Sequence, residues 1–575
     1  MKKLILILTA AVMAVSCSDN LEDLNQNIKD PTNVSGESLF ASAQKQLADQ
    51  FVTPNVNLNN LRLWTQQLQE TTYTDESNYD QITRAIPDRH WTELYRDVLK
   101  DLNEADRVIA ATDNDLTNAL KPNKLAIIEV MTVFAYSNLV ETYGDVPYSE
   151  ALDIDNLLPA YDDAATIYKD LLARLDAAIG SMNTSVGSFS YTEDKMYSGN
   201  VENWKKFANS LKLRMGIMLA DVNPALSQST VESAFTSGVF TSNADNGSYM
   251  YSAAAPNNNP MNDNLVLSGR NDYVPANTLV NLMNNINDPR RSSFFDGKLE
   301  YKYDYDFEDP TVGFPVSEVT TSGSVTTIHF GVDVKKYPAI GDDILLQVDE
   351  APSLLLGQAI DVTTTAENGT SISIENIAAS VSVGDGIAID SYVGGVVGDI
   401  SAYARHSHVA DRLVDPAEPG VLLSYAEVRF LLAEAAARGY AVGGDAATHY
   451  EAAITASFEY WGAEGLADYL ASPAVAYDSA IANSSSSPAW KQVIGTQAYL
   501  GLYNRTFASY NSIRRLDYPI LAKPTGAKSG FPTRYLYPVA EQTLNEANWS
   551  AASSAIGGDA AETRLFWDKF YTFDF

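Results

Sequence analysis

Residues 73–84 bring Tyr73, Thr74, Asp75, Glu76, Asn78, Tyr79, Asp80 and Arg84 into one short stretch, and Arg270-Asn271-Asp272-Tyr273 repeats the mixture. Aromatic faces that stack on apolar C–H surfaces, beside amides, carboxylates and guanidinium groups that bond hydroxyls, are what a sugar ligand requires. Tyr73, Asn78, Tyr79, Arg84, Arg270 and Tyr273 are therefore the candidate ligand-binding residues. The competing reading is of ordinary polar loops whose tyrosines cap the core.

Other reactive arrangements are scarce. One Cys and five His residues leave no Cys₄, Cys₂His₂ or H-E-x-x-H zinc pattern. His406 and His408 are a close pair that would share one side of a strand, but no third ligand is near. Gly394-Gly395-Val396-Val397-Gly398 lacks the Lys-Ser/Thr of a phosphate loop and reads as a glycine-rich turn. No G-x-S-x-G elbow is present. Asp304-Tyr305-Asp306-Phe307-Glu308 alternates acids but lacks the Gly and terminal Glu of a calcium loop. No metal and no cofactor are expected. Paired carboxylates for glycoside cleavage stay open, because 73 acidic residues supply countless pairs and only their spatial separation would decide.

Met1-Lys2-Lys3, an apolar run from Leu4 to Val15, and Ser16 follow the order of a secretory signal over residues 1–16. Ala14-Val15-Ser16-Cys17 is a loose lipobox, and Cys17 is the only cysteine, so lipid attachment at Cys17 is expected. The apolar run is shorter than the roughly 20 residues a bilayer core requires, and no later stretch reads as long and apolar enough to be a span. Removing Lys2 and Lys3 from the 39 basic residues leaves 37 against 73 acidic, a formal charge of −36. Such a surface repels nucleic acid and anionic membrane faces, so lipid must do the anchoring. With no cysteine pair, packing alone must hold the fold.

The elements that position the candidate residues are mainly helical. Leu39, Ala43, Leu47 and Phe51 recur four apart, as do Trp91, Tyr95 and Leu99; Ile167, Leu171, Leu175 and Ile179 repeat the pattern, and Trp204, Phe207, Leu211, Met215 and Met218 use three-and-four spacing. Ser424–Gly462 reads as two helices whose small residues Ala433, Ala436 and Gly439 permit close approach to Ala447, Tyr450 and Ile454, a tetratricopeptide-type hairpin. Between about Val316 and Asp390 the pattern switches to period two, as in Thr370-Ser371-Ile372-Ser373-Ile374, with Asn368-Gly369 suited to a hairpin turn. That segment reads as a small inserted all-β barrel or sandwich. The expected organisation is a signal peptide (1–16), a first helical part (17–315), a β-rich insertion (316–398) and a second helical part (399–575).

Several separated motifs resemble those of the SusD/RagB outer-membrane lipoproteins of Bacteroidetes. They are Leu24-Asn25 through Asp30-Pro31-Thr32, Asn138-Leu139-Val140-Glu141-Thr142-Tyr143-Gly144-Asp145-Val146-Pro147-Tyr148, Trp204 through Arg214, Tyr425 through Glu434, and Arg534-Tyr535-Leu536-Tyr537-Pro538 with Glu541 and Asn545. Read physically, Gly144 and Pro147 end a helix, and Asn209 and Arg214 fix neighbouring loops, so these motifs are structural. The resemblance implies a SusD-like fold of tetratricopeptide-type helix pairs with long loops. It also implies a non-enzymatic lid on a SusC-like TonB-dependent transporter, capturing a glycan or another nutrient such as a peptide at the outer face of the outer membrane. A surface glycosidase, or a peptide-binding capture protein or adhesin, is the alternative.

Overall fold

The computed structural model describes residues 34–113, 118–301, 313–334, 338–348, 353–365 and 369–569. The signal peptide, Cys17, Asp304–Glu308 and Asn368 lie outside the described residues.

Helix α1 (Gly36–Val52) starts at Ser35, whose hydroxyl accepts the Ser38 amide. It packs against α2, one run of helix in three parts, Ile86–Thr92, Glu93–Leu99 and Lys100–Ala111, whose middle part is wound with π geometry. Helix α3 (Lys121–Tyr143) pairs with α4 (Ala164–Ser181), and α5 (Val201–Met218) pairs with α6 (Pro224–Ser237). In the second helical part, α7 (Tyr425–Ala437) and α8 (Ala446–Trp461) form the expected hairpin, capped by Ser424 and Asp445 and ended by Gly462 at φ 66°. Helices α9 (Ala489–Gly501) and α10 (Thr506–Leu516) complete the array.

One expectation is corrected here. Helix α3 is long and apolar enough to cross a membrane, with mean hydropathy 1.3, but 83% of that apolar window is buried inside the protein. It packs against α1, α2, α4 and α5, so it needs apolar residues on nearly every side, as a central helix of a large core does.

The burial of α3 creates a demand at its C-terminus, where the last four carbonyls of a helix lack intrahelical donors. Gly144, at φ 92°, donates its amide to Val140 O. Arg514 Nη1 donates to Glu141 O at 2.9 Å, Tyr535 N to Thr142 O at 2.9 Å, and Arg534 Nη2 to Tyr143 O at 2.9 Å. All four carbonyls are satisfied, three of them by the C-terminal part of the chain. Both arginines are fully buried; Arg534 pairs with Asp559 at 2.5 Å, and Asn511 links Arg514 to the Glu141 carboxylate.

A second ion pair joins the helical parts. Arg214 of α5 donates from Nε to Glu427 of α7 at 2.7 Å and from Nη2 to Leu422 O at 3.2 Å, while Asn209 bonds Ser237 O and Gly238 O. Asn209 fixes the turn after α6 as expected, whereas Arg214 ties α5 to a helix and to the strand residue Leu422 and not to a loop.

The β segment is a closed antiparallel barrel. Strands β1 (Leu68–Glu70) and β2 (Tyr273–Pro275) lie outside it; its own strands are β3 (Leu299–Tyr301), β4 (Phe314–Pro315), β5 (Glu318–Ser322), β6 (Val325–His329), β7 (Asp343–Leu346), β8 (Leu354–Thr365), β9 (Gly369–Glu375) and β10 (Gly386–Ser391). The order runs β3-β10-β7-β8-β9-β6-β5, and the stretch Phe314–Ser322 closes it by bonding β10 through β4 and β6 through β5. Alternating burial along β9 turns Thr370, Ile372 and Ile374 into a core separate from that of the helices. The sheet spans Leu299 to Ser391, so it begins ahead of residue 316 and ends ahead of 398. Buried Asp342 ties the barrel to the helical body by accepting bonds from Arg291 and Ser391 and pairing with Lys298 at 3.2 Å.

Replacing Arg514 with Leu leaves two buried carbonyls, Glu141 O and Thr533 O, without their donor. The expected loss is about 3–5 kcal/mol, the scale for removing one member of a buried charged network. Chemical denaturation of the variant measures it.

Candidate functional site

Two short strands, β1 (Leu68–Glu70) and β2 (Tyr273–Pro275), pair antiparallel with Glu70 opposite Tyr273. Each strand is flanked by one of the two aromatic-polar clusters, so this pairing sets them side by side. Thr71 continues the ladder, donating from N to Asp272 O at 2.9 Å and from its hydroxyl to Asn271 O at 2.6 Å.

The six candidate residues divide sharply by exposure. Tyr73 is 75% exposed, at φ 54°, and Arg270 is also exposed, 3.7 Å from Asp272. Arg84 is partly exposed and pairs with the buried Glu76 at 2.6 Å. Tyr79 is 2% exposed, with its hydroxyl accepting from Gln66 Nε2 and its ring edge-on to Phe531. Tyr273 is buried too, donating its hydroxyl to Pro54 O at 2.7 Å. Asn78 is enclosed: its Nδ2 donates to Thr74 O and Gly398 O at 2.8 Å each, and its Oδ1 accepts Gly526 N at 2.7 Å. Tyr79, Tyr273 and Asn78 thus hold the loops from within, and Tyr73, Arg270 and Arg84 are the members that reach the surface.

Type and spacing alone did not reveal the loops that complete this surface. Asn78 gathers the turn at Gly398 and the strap at 524–528, and exposed Ile82 and Ile400 lie on the same loops. The signal was the glycine run read as a mere turn. A Cβ on Gly394 would lie 2.5 Å from Asn277 Cα, and one on Gly398, at φ 85°, would lie 2.6 Å from Asn78 Oδ1. These glycines allow close backbone packing around the site.

Beneath the loop, Glu70 and Glu76 form a buried carboxyl pair. Ser77 donates to Glu70 from both N and Oγ, at 3.0 and 2.9 Å. Burial, then the hydrogen bond and negative charge of Glu76, push the Glu70 carboxyl up to about 9; burial also raises Glu76, which Arg84 opposes. The pair therefore holds a proton at neutral pH and faces inward. His406 and His408 do not converge on an ion: His408 stacks on Tyr403 at 3.7 Å, and the rings bond the Ala402 and Tyr403 carbonyls. Among the described residues no group of three His, Cys, Asp or Glu side chains is arranged to hold a metal.

The SusD-like family profile, described as starch-binding and associating with the outer membrane, matches residues 28–356 and 374–538. The chain belongs to the SusD-like family. The gap in the match falls across most of the β8–β9 hairpin of the barrel. Among solved structures, a SusD homologue from Bacteroides thetaiotaomicron superposes with TM-score 0.65 at 20% identity, covering 94% of this chain and 100% of its own. A chitin-binding SusD homologue from Flavobacterium johnsoniae gives 0.65 at 20% identity, with 93% and 98% covered. One from Bacteroides uniformis gives 0.62 at 24%, with 92% and 99% covered. These likenesses establish the SusD fold. No curated protein matches the chain.

Two outcomes test this SusD-like site. Gly398→Ala forces a Cβ into Asn78 at positive φ, with an expected cost of about 1–3 kcal/mol that thermal unfolding will register. Because the folded-state pKa of Glu70 is raised, the protonated pair stabilises the fold at low pH, and that contribution is lost as pH rises from the ordinary carboxylate range through about 9. Glu70→Gln keeps an acceptor for Ser77 and should flatten the decline, measured as midpoint temperature between pH 6 and 9.

Proposed function

We propose that this SusD-like protein captures a neutral glycan at the cell surface and passes it to a SusC-like TonB-dependent transporter as the transporter's lid. The observation that carries the reading is the β1–β2 pairing, which joins two aromatic-polar clusters and leaves Tyr73 and Arg270 exposed beside each other's loops. An open tyrosine face can stack on a pyranose, and the guanidinium can bond its hydroxyls. The family description as starch-binding, and the chitin-binding title of one structural neighbour, support a polysaccharide ligand. We read the protein as a binder and not a hydrolase, because the carboxyl pair at these loops is sealed inside and engaged with Ser77 and Arg84. Lipid on Cys17 is the proposed anchor at the outer membrane, and anchoring keeps the lid at high effective concentration over its partner.

Tyr73→Ala and Arg270→Ala should each weaken polysaccharide binding about tenfold, or about 1.4 kcal/mol, without lowering the unfolding temperature. Affinity electrophoresis through starch and through soluble chitin derivatives reads this directly, and unchanged mobility of both variants would sink the site. Cys17→Ala should release the protein from the membrane fraction, assayed by fractionation of cells.

A further inference from the structure

The strap after α10 borders the loop site and also walls a second cleft. Gln66 clamps it by two bonds, Nε2 to Ala522 O at 2.5 Å and Ala522 N to Oε1 at 3.1 Å, and Asn78 holds Gly526 and Lys528. Just upstream, Tyr518, Pro519 and Ile520 line a cleft of about 390 Å³ against α9 and residues 473–484. None of the six candidate ligand residues belongs to it.

Its lining contains no Asp, Glu, Lys, Arg or His, although the chain carries 73 acidic residues. Asn483, Gln492 and Thr496, with their amide and hydroxyl side chains, line the space together with Tyr518 and the 71% exposed Ile520. Gln492 uses its Oε1 for Ser484 and Ser485, at 2.7 and 3.1 Å. The Gln492 N–H groups, and the polar side-chain groups of Asn483, Thr496 and Tyr518, bond to none of the described residues.

These groups discriminate among ligand classes. A charged ligand would lose water without meeting a counter-charge. A purely aliphatic one would bury the amides and hydroxyls unsatisfied. A neutral polyhydroxylated ligand suits both halves of the lining, its C–H faces on Tyr518 and Ile520 and its hydroxyls on the amides. The cleft volume falls within the range of about 300–1,000 Å³ usual for small-ligand sites.

We propose that this cleft is a second saccharide subsite, holding a short run of neutral sugar units, and that the 518–528 strap separates it from the loop site. The inference rests on the glycan-capture reading. It adds that a chain long enough to occupy both sites gains avidity from their linkage.

Titration calorimetry of the mature protein with maltoheptaose, chitohexaose and xylohexaose, and with a polygalacturonate hexamer as the charged comparison, tests it. The Tyr73→Ala/Arg270→Ala variant should retain weaker binding of a neutral oligosaccharide and bind no polygalacturonate. Adding Ala474→Trp, which fills the cleft from an exposed position, should abolish that residual binding; adding Thr496→Val should weaken it about tenfold, an effect of one lost hydrogen bond. Residual binding untouched by Ala474→Trp, or absent while the unaltered protein binds, overturns the subsite and leaves capture at the loops standing. Failure of the unaltered protein to bind any neutral probe overturns both.

Discussion

The buried C-terminus of α3 is the constraint on which the rest of the molecule turns. A helix that is apolar on nearly every side must sit inside the fold, and its last carbonyls then cannot turn to water. Their donors come from Arg514, Arg534 and Tyr535, the two arginines lying 373 and 391 positions beyond the carbonyls they meet. Two guanidinium groups at the negative end of the helix dipole also suit its charge. The strap between α10 and Arg534 is thereby pinned at both ends, and in between it meets Gln66 and Asn78. The geometry of the loops around β1 and β2 is a consequence of how one core helix is capped.

The same logic explains why the motifs that resemble a family are structural. Among the described residues each of these motifs supplies a buried polar group whose partner lies in another motif or element. Arg214 meets Glu427, and Glu434 meets Arg438 and Arg515. Asn138 takes its bond from His90, whose other ring nitrogen meets Gln50; burial lowers the His90 pKa to about 3, which keeps the ring neutral and able to use both nitrogens in this chain. A buried polar group without its partner costs more than a lost apolar contact of similar size, so such pairs constrain residue type more tightly than packing does. Ligand choice is not encoded there.

Local pattern made the helices legible, because a face of Leu39, Ala43, Leu47 and Phe51 depends only on neighbours along the chain. The alternation in β9 was legible for the same reason. Closure of the barrel was not, since it depends on Phe314–Ser322 bonding two strands far apart in sequence. Gly341-Asp342 and Gly384-Asp385 each lead into a strand, β7 and β10, and these two strands pair with each other, Asp343 opposite Asp390. At the site, residue type could not separate Tyr73 from Tyr79: both have positive φ and both sit in the same polar loop, yet one is open and the other sealed against Phe531. Exposure is decided by Gln66 and the strap, which no spacing rule connects to either tyrosine. The apolar character of α3 likewise separates membrane span from core helix only once its neighbours are known.

Charge completes the picture. A chain with a formal charge of −34 generates a field that discourages anionic polymers, out to the roughly 8 Å screening length of physiological salt. A neutral polysaccharide feels little of it. Recognition of such a ligand would then come from contact alone, from ring faces, amides and hydroxyls that act only within a few ångströms. Contact recognition of that kind requires loops held rigidly enough to keep their groups in register. The interior of this site is accordingly crowded with bonds, from Asn78 to Gly398 and Gly526, from Ser77 to Glu70 and from Tyr273 to Pro54, while the exposed Tyr73 and Arg270 occupy its outer edge. The polar groups enclosed beneath the loops preorganise the few that remain outside.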